Sequence, residues 1–303
     1  MSDYRWLKSQ TCIEFSVRDR VARIALNRPE KRNAVTEEMR QEIAQALMEA
    51  DDRVDVSVVI IEGRGKDFCA GGDLTAAYPD GGPAQFLDED GRPIEYRGRV
   101  DTVDNDSWHC ATMAERYSLP LFRMHKPVIA KVHGNCLAEG TDIALGSDMI
   151  IAAEDARIGH PGARANGTPP FNFWLYHCGP QWAKRMLMTG DLLTGKDAAR
   201  VGLVMDAVPA EQLEAEVSEL ARRISLVDTE VVATHKRAIN MGLELAGART
   251  LQRFTAELDA RAHASNGPRR KAFRADIKSL GLKQALANRN SAFGLSVIKL
   301  FSK

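Results

Sequence analysis

Two glycine-rich turns carry the strongest chemical signal in this 303-residue chain. One reads Phe68-Cys69-Ala70-Gly71-Gly72-Asp73-Leu74. The other reads His133-Gly134-Asn135-Cys136-Leu137-Ala138-Glu139-Gly140-Thr141-Asp142. Small residues let a ligand approach the main chain closely. A turn that opens a helix also leaves N–H groups without intrahelical acceptors, at the positive end of the helix dipole. Two such turns side by side can aim two N–H donors at one oxygen, forming an oxyanion hole. Either stretch taken alone reads equally well as a tight turn.

Both turns follow a candidate buried strand. Val56–Ile61 is an almost continuous apolar run, the mark of a strand covered on both faces. Pro127–Val132 precedes the second turn, a helix is expected from about Glu139 to Ser147, and Asp148–Ala153 reads as a further strand. Upstream, Val21–Leu26 alternates as a strand and stops at Asn27-Arg28-Pro29. Thr36 then caps a helix with Glu37 and Glu38 in its first turn and Met39, Ile43 and Leu47 on its apolar face. Strand–helix–strand alternation predicts an α/β core with right-handed crossovers. From Trp182 onward the pattern turns helical, with a long segment Val227–Ala264 that Gly242 and Gly247 are expected to break. Residues 75–107 show no sustained period and read as a long excursion, either over a binding site or as a tolerated surface insertion. The basic tail 265–303 opens with Ser265-Asn266-Gly267-Pro268, a hinge signal.

Composition removes several classes. The 41 basic and 41 acidic residues cancel, and no long basic run appears, which argues against nucleic-acid binding. No apolar stretch approaches the roughly 18 residues of a membrane span, and the first residues do not open a signal peptide. Five cysteines without CxxC spacing suit free thiols in a reducing cytosol, so a cytoplasmic location is expected. Gly190–Lys196 nearly spells a phosphate-binding loop, but Asp197 replaces the hydroxyl residue that would ligate magnesium. The seven histidines lack metal-ligand pairing in sequence, so no metal is expected.

A set of motifs in register makes the reading specific: Asn27-Arg28-Pro29-x-x-x-Asn33-Ala34, Phe68–Asp73, Lys126–Ala130 with Gly134, Asp148, Thr189-Gly190 and Ala198-x-x-x-Gly202-Leu203-Val204. In order and spacing this series resembles the crotonase (enoyl-CoA hydratase/isomerase) superfamily from about residue 12 to 225. The resemblance implies an α/β crotonase (ClpP-like) fold of repeated ββα units, with a core over 1–225 and a trimerising helical region over 226–303. It implies an acyl-CoA thioester as substrate, no further cofactor, and a homotrimer or dimer of trimers. Leu251, Phe254 and Leu258 form an apolar helical face that suits such contacts, or packing on the same subunit.

By motif position, the oxyanion donors would be the backbone N–H groups of Gly72 and Glu139. CoA contacts would fall on Lys31, Arg32, Ala34, Ala70, Asp73, Leu74 and Gly140. Deprotonating carbon beside a thioester places negative charge on the carbonyl oxygen, which two preorganised donors stabilise more than they stabilise the neutral substrate. A carboxylate is then needed to move the proton. The sequence departs from the pattern here. Glu139 stands where the family has glycine. The first catalytic glutamate corresponds to Asp142, one methylene shorter, and the second corresponds to Gly162, which has no side chain. Ordinary hydration is therefore in doubt, while double-bond shift, thioester hydrolysis, decarboxylation or mere acyl-CoA binding stay open. His160, Arg164, Asn166, His177 and Glu139 are candidates for the missing group, each with a structural role as the alternative.

Overall fold

Val58–Gly63 is buried at every position, as the centre of a parallel sheet requires. It sits in a computed structural model that describes residues 4–74, 86–94, 102–165, 167–294, 296–298 and 300. In chain order the elements are β1 (Ile13–Arg18), β2 (Val21–Leu26), α1 (Glu37–Asp52) and β3 (Val58–Gly63). A hairpin of β4 (Phe86–Leu87) and β5 (Pro93–Ile94) follows, then α2 (Val103–Met113), α3 (Leu119–Arg123), β6 (Val128–Val132) and β7 (Asn135–Leu137). Next come α4 (Glu139–Gly146), β8 (Met149–Ala153), β9 (Arg157–Gly159), α5 (Trp174–Thr189), β10 (Leu192–Thr194), α6 (Gly195–Arg200) and β11 (Asp206–Val208). The chain closes with α7 (Leu213–Ser225), α8 (Thr229–Leu245), α9 (Ala248–Ala264), α10 (Pro268–Ser291) and β12 (Val297–Ile298).

A six-stranded sheet runs β1-β2-β3-β6-β8-β11, antiparallel only at β1–β2. A smaller sheet runs β12-β10-β9-β7. The expected α/β fold is present, and its crossovers place β3 and β6 next to each other, so their C-terminal turns are neighbours. Thr36 caps α1 as expected, its side-chain oxygen accepting the Met39 N–H at 3.2 Å. One face of α1 buries Met39, Ile43, Ala46, Leu47 and Ala50, and it also buries Arg40.

Several boundaries differ from the sequence reading for identifiable reasons. The 75–107 excursion holds the β4–β5 hairpin and ends in α2 from Val103, while 75–85 and 95–101 lie outside the described residues. Buried Asp106 and Cys110 interrupt the apolar period that would have revealed α2. The helical region starts at Trp174 rather than Trp182, since a short helix precedes the kink at Gly179 (φ 70) and Pro180 and the longer one follows it. Gly247 (φ 91) separates α8 from α9, whereas Gly242 stays inside α8. A glycine inside a helix costs about 1 kcal/mol relative to alanine, which packing readily offsets. Such packing is visible at Lys236. Its buried Nζ donates to the carbonyls of Leu121 (2.9 Å) and Lys126 (3.0 Å) and to Asp148 Oδ2 (2.8 Å), tying α8 to the core. Gly190–Asp197, the near phosphate loop, is a helix C-cap, a short strand and the capped start of α6. No described helix is long and apolar enough to cross a membrane, and all five cysteines are buried free thiols.

Candidate active site

The two glycine-rich turns are joined by main-chain hydrogen bonds. Cys69 N–H donates to Asn135 O (2.9 Å) and Leu137 N–H donates to Cys69 O (2.9 Å). On its other side the first turn pairs with Val35: Val35 N–H donates to Gly71 O (2.9 Å) and Asp73 N–H to Val35 O (2.8 Å). In that parallel bridge the N–H of Gly72 points away from Val35, and no backbone carbonyl accepts it among the described residues. Glu139 opens α4, so its N–H lies at the positive end of that helix. A Cβ built on Gly71 would fall 3.0 Å from Ala138 Cβ and 3.8 Å from Glu139 N. The absent side chain is what lets the turns touch. Ala138, tethered to Gly159 O at 2.9 Å, holds a left-handed backbone (φ 48, ψ −117) that L-residues rarely adopt.

The Glu139 side chain forms a buried cluster of its own. Arg40 Nε and Nη2 donate to its two oxygens at 2.6 and 2.9 Å, and the Tyr117 hydroxyl donates to Oε1 at 2.6 Å. Burial opposes the Arg40 charge, but the Glu139 carboxylate outweighs it and raises the guanidinium pKa. Burial, then Glu139, pushes the Tyr117 phenol well above its usual range. Glu139 Oε2 also lies 2.7 Å from where a Cβ on Gly72 would be. The carboxylate thus narrows the site over Gly72.

Asp142, in the first turn of the same helix, is 1% exposed, and its Oδ1 has no hydrogen-bond partner among the described residues. Burial, then the charges of Glu139 and Asp259, raises its pKa well above the usual carboxylate range. The shift favours the protonated form relative to an exposed carboxylate, the direction expected of a group that exchanges a proton in an apolar site. Gly162 faces His160: a Cβ there would sit 3.0 Å from His160 Nε2. Burial and then Arg289 lower the His160 pKa to about 4, leaving a neutral imidazole whose Nδ1 has no partner among the described residues. Cys69, between the turns, is pushed up to about 12 by burial and is no thiolate nucleophile.

A cleft of about 1310 Å³ is lined by Gly72, Tyr117, Glu139, Asp142, His160 and Gly162 among others. Of the expected CoA contacts, Arg32, Ala70, Asp73 and Leu74 line it, while Lys31, Ala34 and Gly140 do not. Gly140 instead packs against Cys69, where a Cβ would fall 2.8 Å from the Cys69 carbonyl oxygen. Asp73 pairs with Arg28 at 3.1 Å. Arg164 reaches the cleft wall, but its guanidinium is spent on Asp191 (3.2 Å), Thr189 O (3.0 Å) and Ser296 Oγ (2.9 Å). His177 bonds Leu145 O at 3.0 Å and stays outside the cleft lining. Asn166 lies outside the described residues.

Sequence reasoning missed Arg40 and Tyr117; a lone arginine inside the apolar stripe of α1 was the available signal. It also missed a group where α2 meets α9, in which Asp106, Asp259 and His263 line the same cleft and buried Cys110 contacts Asp259. Ligand atoms of Asp106, Cys110 and His263 lie within 4.8 Å of one another, a grouping that the sequence spacing did not reveal. That spacing was uninformative because the residues come from helices far apart in the chain.

Comparison with known proteins fits this geometry. The family profile for enoyl-CoA hydratase/isomerase matches residues 21–266. A crystal structure of enoyl-CoA hydratase from Mycobacterium smegmatis superposes with a TM-score of 0.82 at 34% identity, covering 94% of this chain and 96% of that one. The crotonyl-CoA hydratase of Syntrophomonas wolfei is 30% identical over 75% of this chain and 80% of its own length. The hydroxycinnamoyl-CoA hydratase-lyase of Pseudomonas fluorescens is 28% identical over 99% of this chain and 100% of its own. With its paired turns, parallel sheet and helical C-terminal third, the chain belongs to the enoyl-CoA hydratase/isomerase family of the crotonase superfamily.

Proposed function

We propose that this chain is an acyl-CoA-processing enzyme of the hydratase/isomerase type, with the thioester carbonyl held by the backbone N–H groups of Gly72 and Glu139 and the proton moved by Asp142. One observation carries the reading: the nearly sealed Asp142 carboxyl, whose Oδ1 has no hydrogen-bond partner among the described residues, three residues along α4 from Glu139. An unsatisfied buried carboxyl costs roughly 1–3 kcal/mol, a cost that proton transfer explains and packing does not. Arg32, Ala70, Asp73 and Leu74 would meet the CoA moiety at the cleft mouth. Phe254 and Leu258 are exposed on α9 rather than packed on their own subunit, which supports assembly as a trimer or dimer of trimers.

The test is turnover of enoyl-, β-keto- and malonyl-type CoA esters by the wild type and by Asp142→Asn. Water addition or double-bond migration that falls about 10²–10⁴-fold in the variant supports the assignment. Hydrolysis or decarboxylation as the dominant reaction would move the chain to another activity in the same superfamily. The bare Gly162 favours one further reading, an acyl-CoA binder without turnover. Calorimetric binding of acetyl-CoA with no reaction of any ester would establish it.

A further inference from the structure

Asp142 accounts for one proton-transfer group, and Gly162 leaves the second without a residue. On the same cleft, α2 and α9 pack together, and Asp106 from α2 and Asp259 and His263 from α9 line it, with fully buried Cys110 one turn from Asp106. His263 Nδ1 lies 2.7 Å from Asp106 Oδ2. In the neutral imidazole, an Nδ1–H donated to the Asp106 carboxylate leaves the lone pair on Nε2. Nε2 is 3.5 Å from Asp259 Oδ1. Asp259 Oδ1 already accepts the Thr168 N–H at 2.9 Å, and Oδ2 faces Cys110 Sγ at 3.4 Å. Asp106 is 2% exposed, which shields the dyad's ion-dipole contact from water, while the His263 side chain keeps 15% exposure toward solvent. Gly167 keeps this corner open, since a Cβ there would fall 2.8 Å from Nε2 and 2.3 Å from Asp259 Oδ1.

We propose that His263, with Asp106 as its positioning residue, is the base that activates water in this cleft and replaces the carboxylate lost at position 162. The proposal rests on the acyl-CoA reading of the site. In the forward direction Nε2 takes a proton from water as the water oxygen forms a bond to the β-carbon of an enoyl thioester. The double-bond electrons pass to the thioester oxygen, where the Gly72 and Glu139 amides hold the enolate. Asp142 then gives its proton to the α-carbon, and the imidazolium proton returns to Asp142 through solvent, which restores both groups. A carboxylate that fixes an imidazole tautomer so that its far nitrogen acts as base is the logic of the serine hydrolase triad applied to water.

The full-length protein is tested with crotonyl-CoA for water addition, and with butanoyl-CoA in D2O for deuterium uptake at the α-carbon, which needs no activated water. His263→Ala is expected to lose about a hundredfold or more in water addition. It should keep α-deuterium exchange and acyl-CoA affinity, and free imidazole should restore part of the lost rate. Asp106→Asn should lower kcat with little change in KM. Asp142→Asn should lose both reactions, so failure of the underlying reading shows as intact exchange in that variant. Four results overturn the proposal: no water addition by the wild type, undiminished water addition by His263→Ala, equal loss of both reactions without imidazole rescue, or transfer of the phenotype to His160→Gln. Activity that tracks a tightly held divalent metal and vanishes on chelation also overturns it, because the same side chains would then be ligands.

Discussion

Glu139 and Asp142 sit one turn apart on α4, both nearly sealed from solvent, yet the fold treats them oppositely. Glu139 receives a bidentate guanidinium from Arg40 and a phenolic hydroxyl from Tyr117. Asp142 Oδ1 receives nothing among the described residues. The first carboxyl is fixed as a structural anion that shapes the cleft over Gly72, and the second is left unpaired at Oδ1 with its pKa raised by burial. Their contrast teaches that the number of partners, more than depth, decides which buried acid can do chemistry. Glu139 is therefore a wall of the cleft, with its charge balanced on site by Arg40.

The comparison can be broken at either residue. The largest effect is expected for Asp142→Asn, which should reduce turnover by about 10²–10⁴-fold while acyl-CoA binding measured by calorimetry persists. Arg40→Met strands the Glu139 anion in a buried site and should lower unfolding free energy by about 3–5 kcal/mol in a denaturant titration. Restoring most of that loss in Arg40→Met/Glu139→Gln would show that the stranded charge is the cause. Tyr117→Phe removes one bond to a charged acceptor and should cost about 2 kcal/mol by the same measurement. Ala138→Gly should stabilise by about 1 kcal/mol, because glycine adopts the left-handed backbone without strain.

Acidity gives a further contrast with a definite sign. The folded state raises the Asp142 pKa, through burial and then Glu139 and Asp259, above its unfolded value near 3.8. The protonated form is thus favoured by folding, and that contribution is complete below the unfolded value and lost as pH rises through the folded one. Asp142→Asn should accordingly be more stable than the wild type at alkaline pH, with the difference shrinking toward pH ~4. Thermal melts of both proteins across pH would check it, and a constant difference would mean that Asp142 is not held neutral.

How much of this was legible in the sequence depended on whether the cause was local. The cap at Thr36, the buried run of β3 and the glycine turns follow from short-range patterns, and they appear where the pattern put them, within about two residues. Helix α2 was hidden because its inner face carries Asp106 and Cys110, polar groups satisfied by residues of α9. Arg40 was passed over for the same reason: its partner lies 99 residues away. Gly242 looked like a breaker, but a helix held by Lys236 against three core acceptors tolerates it. Gly140 read as a ligand contact when its smallness serves the approach of α4 to Cys69. Long-range complementarity, which needs the fold to be known first, separates what was readable from what was not.

The rung between Cys69 and its two neighbours, Asn135 and Leu137, has a mechanical consequence. Because one residue both donates and accepts across the gap, the loops bearing Gly72 and Glu139 cannot slide past each other without breaking two main-chain bonds. The spacing of those two amides is then built in when the chain folds, a rigid gauge rather than one a ligand must close around itself.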